Sequence, residues 1–135
     1  MHFLYCYGII SLKKEAINII SFYLKNNDEI VKRDNIESKI KNNVLFFNID
    51  NDKYEFDLDK NILKKDNEES KLEFIFDSNK ETKGSYYIKE LNFYMDARII
   101  TNELIDKNNE KNIKYELYLQ DEYIGKFEFK INIKE

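Results

Sequence analysis

The chain has 135 residues, 42% hydrophobic and 36% charged, with a formal net charge of −4, which predicts one folded domain and excludes a disordered chain. Its Lys and Arg residues form no basic cluster, which argues against nucleic-acid binding, and no apolar run approaches the ~18 residues that span a membrane. Its single Cys excludes an internal disulfide and favours a reducing, cytoplasmic location.

The first residues, 1–16, are interpreted as an N-terminal extension of a domain that covers residues 17–135. Ser11 suits a helix N-cap, so a short helix within residues 11–16 stays open, whereas the β-branched and aromatic run from Ile17 favours a strand. His2 and Cys6 could meet on one strand face. A packed or frayed terminus is the simpler interpretation, because chain ends are usually poorly ordered.

Turns in this chain are expected to depend on Asn and Asp, because there is no Pro and there are only three Gly. Both residue types tolerate left-handed backbone and bond to their own main chain. Clusters rich in them recur at short intervals, at residues 26–28, 42–43, 50–52, 66–68, 77–79, 106–109 and 120–122. Turn signals spaced in this way predict a β-sandwich or a β-barrel.

Ten strands are predicted between these turns. They lie near residues 17–25, 29–40, 43–49, 53–59, 61–65, 70–76, 82–89, 91–100, 111–120 and 123–133. Within several of them, apolar and polar residues alternate with the period of two that puts one apolar face of a sheet towards a core. The apolar rows are Tyr54, Phe56 and Leu58; Leu72, Phe74 and Phe76; and Leu91, Phe93, Met95, Ala97 and Ile99.

The clearest alternation lies at the C-terminal end, between residues 113 and 133. One apolar row is Ile113, Tyr115, Leu117 and Leu119, and the next is Tyr123, Gly125, Phe127, Phe129, Ile131 and Ile133. Charged and amide residues occupy most of the positions between them. This pattern predicts an antiparallel hairpin with one face on the core and one in water.

Residues 71–135 resemble the YwiB-like family of small uncharacterised bacterial proteins, which have a lipocalin-like (calycin) β-barrel. The similar segments are KGSYYIKEL at 83–91 and IKYELYLQDEYIGKFEFKI at 113–131. The resemblance implies an all-β antiparallel meander that closes into a barrel of about eight to ten strands. It implies no catalytic residue, since the family has no established activity, and the chain has no Trp for the Gly-x-Trp signature of secreted lipocalins.

Apolar inward rows predict that the barrel binds a small hydrophobic or amphipathic ligand. The residues expected to line such a site are Phe74, Phe93, Met95, Tyr115, Leu117, Phe127 and Phe129. A barrel whose interior is completely packed by these side chains is the alternative. In that case we expect a non-enzymatic protein-interaction module.

Catalytic and metal-binding patterns are scarce in this sequence. With one His and one Cys, neither a nucleophilic triad nor a zinc site is predicted, and no cofactor is expected. Asp50-Asn51-Asp52 lacks the remainder of a calcium loop and is interpreted as a turn. Arg98 could point into the barrel towards an anionic group, but we favour an outer-face ion pair with Asp96.

Overall fold

The computed structural model describes residues 16–134, which form a closed barrel of ten antiparallel strands and contain no helix. Around the barrel the order is β1-β10-β9-β8-β7-β6-β5-β4-β3-β2, so each strand pairs with its neighbours in sequence and β1 closes on β10. The predicted all-β meander is therefore confirmed. The strands are β1 (Ala16–Asn26), β2 (Glu29–Lys41), β3 (Val44–Ile49), β4 (Asp52–Asp57), β5 (Ile62–Asp66), β6 (Ser70–Ile75), β7 (Thr82–Ile88), β8 (Phe93–Lys107), β9 (Glu110–Leu119) and β10 (Glu122–Lys134).

The core lies inside the barrel, where alternate residues of every strand point. Leu45, Phe47 and Ile49 of β3 are buried, while the two residues between them are exposed. Tyr54 and Phe56 continue this inner layer on β4, because they pair directly with Phe47 and Leu45. Burial of each such side chain contributes about 1.5–3 kcal/mol to folding.

Asn and Asp supply the left-handed residues that the turns need. Of the ten non-glycine residues with positive φ in the described part of the chain, nine are Asn or Asp. The β2–β3 connection is the pair Asn42–Asn43, with φ of 52° and 64°, which suits the type I′ turn of a two-residue hairpin. The prediction that turns depend on these residues is thus confirmed.

Three bulges interrupt the strand pairing within residues 16–134: one in β2 opposite Ser21, and two, in β8 and β10, that shift the alternation that the sequence suggested. β8 ends at Lys107, well beyond the expected residue 100, because a bulge between Thr101 and Glu103 lets the strand continue with Leu104 facing the core. Leu104 then pairs with Ile113 of β9. The segment expected to be a loop is therefore the second half of the longest strand.

The bulge in β10 lies between Tyr123 and Gly125. It puts Tyr123 on the outer face, where its ring lies 5.2 Å from that of Tyr118, so the expected inward position of Tyr123 is wrong. Gly125 has φ of 152°, and a Cβ there would lie 2.5 Å from the Asn27 side-chain oxygen. A larger residue at this position would be strained by this φ and would have to displace the Asn27 side chain.

The start of β8 also differs from the prediction. Leu91 was placed on the inward row, but it lies in the β7–β8 connection and is 67% exposed. Phe93, the first residue of β8, is 46% exposed. The inward row becomes buried only from Ala97 onward, because the first residues of the strand extend beyond the partner strand β9.

The connections β2–β3, β4–β5, β6–β7 and β8–β9 lie at one end of the barrel, which we call the lower end. Backbone hydrogen bonds join neighbouring connections here: the Leu58 amide donates to the Asn43 carbonyl at 2.9 Å, and the Phe76 amide donates to the Asn61 carbonyl at 3.0 Å. The other five connections lie at the upper end.

Residues 1–15 of the predicted N-terminal extension (1–16), and with them the His2–Cys6 pair, lie outside the described residues. The same is true of residues 11–15 of the proposed helix, whereas Ala16 begins β1. None of the described chain forms a helix that is long and apolar enough to cross a membrane.

Candidate functional site

The seven residues predicted to line a ligand site lie at different depths in the barrel. Four of them are at most 5% exposed: Phe74, Tyr115, Leu117 and Phe129. Phe127 is partly buried against this core, and Met95 is of intermediate burial. Phe93 is half exposed at the upper end, so the structure does not bring it together with the others.

The interior of the barrel contains two groups of aromatic rings, and the rings within each group contact one another. In the first, the Phe22 ring centroid lies 5.2 Å from that of Tyr54 and 5.8 Å from that of Phe129, and Phe47 stacks on Tyr54 at 5.0 Å. Aromatic pairs at these separations are in contact. This part of the interior is therefore filled with side chains.

Tyr115 is the centre of the second group. Its ring lies 4.8 Å from that of Phe76 and 6.3 Å from that of Phe74, and it stacks on Phe127 at 5.1 Å. Burial raises the pKa of the Tyr115 phenol above its usual value. The pKa of Tyr54 is raised as well, first by burial and then by the nearby carboxylates Asp52 and Asp50, so both phenols stay neutral near neutral pH.

Lys111 is a buried cation at the lower end of the barrel, on the inward row of β9 with Ile113 and Tyr115. Its side chain is 7% exposed, and its ammonium group donates to the Asp106 carboxylate at 2.7 Å. It also donates to the Leu58 carbonyl at 2.7 Å and to the Asn61 side-chain oxygen at 2.9 Å. All three N–H groups are thus used within the protein, and they join the β8–β9 hairpin to the β4–β5 connection.

A cleft of about 440 Å³ lies beside Lys111. Ile131, Ile133 and Leu58 supply apolar side chains to it, and Asp59 and Glu110 supply charges. This cleft has the size and the mixture of apolar and charged groups that suit a small amphipathic molecule.

A third feature lies where β2 separates from β3. These strands pair only from Ser38–Phe47 to Lys41–Val44, although β2 begins at Glu29. Beyond the Ser38–Phe47 pair there is a crevice of about 570 Å³, to which Ile17, Ile36 and Phe46 contribute apolar side chains. Within residues 16–134, the first half of β2 therefore has β1 on one side and no strand on the other.

Arg98 lies on the outer face, as predicted, but its partners are on other strands and connections. Its guanidinium donates to the Glu81 carboxylate at 2.8 Å and stacks over the Tyr118 ring at 4.0 Å. The expected ion pair of Arg98 with Asp96 is not formed: Arg98 pairs with Glu81 and Asp121. The backbone N–H of Asp96 donates to the side-chain oxygen of Gln120 at 2.7 Å. Within residues 16–134, no group of three or more His, Cys, Asp and Glu side chains is arranged to hold a metal ion.

Sequence reasoning missed both Lys111 and the open side of β2. Lys111 shares its parity with Ile113, Tyr115 and Leu117, so a charge on an otherwise apolar row was a signal for an inward lysine. For β2, the signal was the weak alternation of EIVKRDN at residues 29–35, where polar residues occupy both faces.

Comparisons with known proteins add one structural similarity. The crystal structure of the ywiB protein from Bacillus subtilis matches 93% of this chain and 99% of that chain, at 9% sequence identity and a TM-score of 0.40. This similarity does not by itself place the chain in the family that its sequence resembles. No protein-family model and no curated protein matches the chain.

Proposed function

We propose that this protein is a non-enzymatic interaction module whose barrel is a packed scaffold. The observation that carries the proposal is the filled interior: Phe22, Phe56 and Phe129 are at most 1% exposed, and their rings contact other aromatic rings. A barrel filled in this way offers its surface and strand edges to partners, rather than a central cavity to a small molecule.

Binding of a small apolar or amphipathic ligand is the second candidate function. The cleft at the lower end supports it, because Ile131 and Ile133 provide apolar surface there. Lys111 would be the natural anchor for an anionic group, but its three N–H groups already have protein acceptors. This argument favours the interaction module over the ligand-binding barrel.

We also propose that the chain is a YwiB-like protein and acts in the cytoplasm. The family proposal rests on the segments at residues 83–91 and 113–131. The location rests on the single Cys, since disulfides are typical of proteins in oxidising compartments and this chain can form no internal disulfide.

Xenon binding followed by NMR tests whether the barrel is packed. We expect wild-type protein to show no xenon-dependent shifts at Phe22, Phe56 or Phe129, because a filled interior leaves no dry space for the gas. The variants Phe129→Ala and Phe129→Leu serve as positive controls, since each should open a cavity that admits xenon. Saturable shifts of these rings in wild-type protein would contradict the proposal and favour a ligand-binding interior.

Binding of decanoate, a small amphipathic anion, tests the second candidate. If that candidate is wrong, calorimetry should show no saturable binding, and the amide signals of Lys111, Ile131 and Ile133 should not move. Stoichiometric binding that Ile133→Asp abolishes would instead make the lower-end cleft a ligand site.

A further inference from the structure

The upper half of β2 is a strand edge that no other strand of residues 16–134 covers. Residues 29–33 pair with β1, from Asn26–Glu29 to Phe22–Arg33, but the register with β3 begins only at Ser38. Six of the seven residues from Glu29 to Asn35 are exposed. A strand edge of this kind presents unpaired N–H and C=O groups, and it can accept a further strand.

The hairpin geometry indicates which amides point to the open side. β1 and β2 are joined by the two-residue turn Asn27–Asp28, which makes Asn26 and Glu29 a hydrogen-bonded pair. Alternation then directs the amides of Val31 and Arg33 towards β1. The amides of Ile30 and Lys32 point away from it, and Asp34 lies in the bulge between Arg33 and Ile36, where it has no partner in β1.

Side-chain contacts agree with this assignment. The Arg33 guanidinium donates to the Lys32 carbonyl at 3.0 Å, which shows that this carbonyl lies within reach of a group outside the β1–β2 ladder. The same guanidinium reaches Asp50 of the β3–β4 connection at 3.2 Å. This contact bridges the gap between β2 and the β3–β4 turn, and both of its side chains are exposed.

We propose that an extended segment of another protein adds to residues 29–33 of β2 as a further antiparallel or parallel strand. This inference rests on the proposed function as an interaction module and names its partner class. Backbone hydrogen bonds to Ile30 and Lys32 would hold the segment, and alternate side-chain positions would select it.

The two faces of the edge define what the segment must present. Ile30 and Lys32 lie on the outer face, where Ile30 is 57% exposed, so an apolar and an acidic side chain suit this row. Val31 and Arg33 lie on the face that continues the barrel interior, because they pair with Leu24 and Phe22. The partner segment is therefore apolar and acidic, and free of Pro at its pairing positions.

A second copy of this chain does not supply what Lys32 needs. Two antiparallel registers pair Lys32 with a residue whose amide also points to the open side. One puts Lys32 opposite itself, and like charges directly opposite each other destabilise a strand pair. The other puts Lys32 opposite Ile30. Neither register places a carboxylate opposite Lys32, which favours a partner of different sequence.

Amide hydrogen exchange tests the open edge in the protein alone. We expect the amides of Ile30 and Lys32 to exchange on the order of 100-fold faster than those of Val31 and Arg33. The amides of Tyr23 and Leu24 in β1 should all be slow, since that strand pairs on both sides. Uniform protection along residues 30–33 would overturn the proposal.

Selection from a displayed library of random eight-residue peptides tests strand addition. We expect enriched peptides to alternate apolar and acidic residues, and their binding should slow exchange at Ile30 and Lys32. Lys32→Thr removes the charge but keeps the edge amide, whereas Lys32→Pro removes both, so Lys32→Pro should bind about tenfold or more weakly than Lys32→Thr. Circular dichroism and thermal unfolding confirm that both variants fold.

The outcomes separate the two proposals. Peptides that bind elsewhere, or that bind Lys32→Pro as well as Lys32→Thr, would overturn strand addition but leave the interaction module intact. A library that enriches no peptide on folded wild-type protein would overturn both. A dimer in sedimentation experiments that Lys32→Pro dissociates would identify a second copy as the occupant and overturn the choice of a different partner.

Discussion

In each of the two long hairpins β1–β2 and β8–β9, one strand extends beyond the adjacent strand outside the hairpin. β2 continues past its pairing with β3, and β8 continues past Ile99, the last residue that pairs with β7. The extended part of β8 is joined to the rest of the barrel, since the Asp77 amide donates to the Thr101 hydroxyl at 3.1 Å and Lys111 bonds to Asp106. For the extended part of β2, the Arg33–Asp50 contact is the one ion pair to the neighbouring connection among the residues that the structure describes.

The difference lies in the burial of the two cations. Lys111 is 7% exposed and has three acceptors, whereas the Arg33 side chain is 44% exposed and its partner Asp50 is 70% exposed. A buried, fully bonded lysine stabilises the lower end, but an exposed ion pair adds little. One hairpin edge is therefore joined to the rest of the barrel, and the other is the edge at which we propose strand addition.

Removal of the Phe129 ring, which contacts two other buried rings, should have the largest effect. Phe129 is fully buried and packs on Phe22 and Phe56, so Phe129→Ala should lower the free energy of unfolding by about 3–5 kcal/mol. The matched variant Phe93→Ala, at a half-exposed position, should cost less than about 1 kcal/mol. Urea unfolding measures both values, and equal losses would show that the interior is not the packed region.

Replacement of the buried Lys111 should weaken the lower end of the barrel specifically. Lys111→Met keeps the side-chain stem but removes three hydrogen bonds, so we expect a loss of about 1–3 kcal/mol in the free energy of unfolding. Amides in residues 100–107 should then exchange faster. Lys107→Met, at an exposed position of β8, is the control and should change stability by less than about 0.5 kcal/mol. If both variants behave alike, Lys111 does not hold the hairpin.

Unfolding at alkaline pH tests whether the buried Tyr54 and Tyr115 phenols stay neutral in the folded protein. The pKa values of Tyr54 and Tyr115 are raised in the folded protein by burial, so their phenols ionise first in the unfolded chain, near pH 10. Stability should fall as pH rises above that value, by about 1 kcal/mol for each Tyr at pH 11. The double variant Tyr54→Phe/Tyr115→Phe should show a shallower decrease in urea unfolding between pH 9 and 11. An unchanged slope would mean that other groups cause it.

Loss of the exposed ion pair should have the smallest effect. Arg33→Gln should change the free energy of unfolding by at most about 1 kcal/mol, because both charges are largely solvated. A double-mutant cycle with Asp50→Asn isolates the pair. A coupling energy as large as the cost of Lys111→Met would show that β2 is held as firmly as β8, and would remove the contrast between the two hairpins.

Much of the fold could be predicted because strand alternation and turn chemistry are local properties. All ten strands and the role of Asn and Asp in turns were predicted from residues close together in the chain. The errors at Tyr123 and in β8 arose at bulges, where one extra residue reverses the alternation without changing the composition of the segment. The open edge of β2 was less predictable. It arises because β3 pairs only with residues 38–41 of β2, and this depends on the length of the β3–β4 hairpin.

By itself, the sequence determined an all-β meander with an aromatic interior, since period-two patterns and turn residues act within a few positions. Only the tertiary structure decided that the first strand pairs with the last, that Lys111 is buried against Leu58 and Asn61, and that β2 keeps an open edge. These features join residues that lie far apart in the chain. They depend on register and closure, which local patterns do not encode.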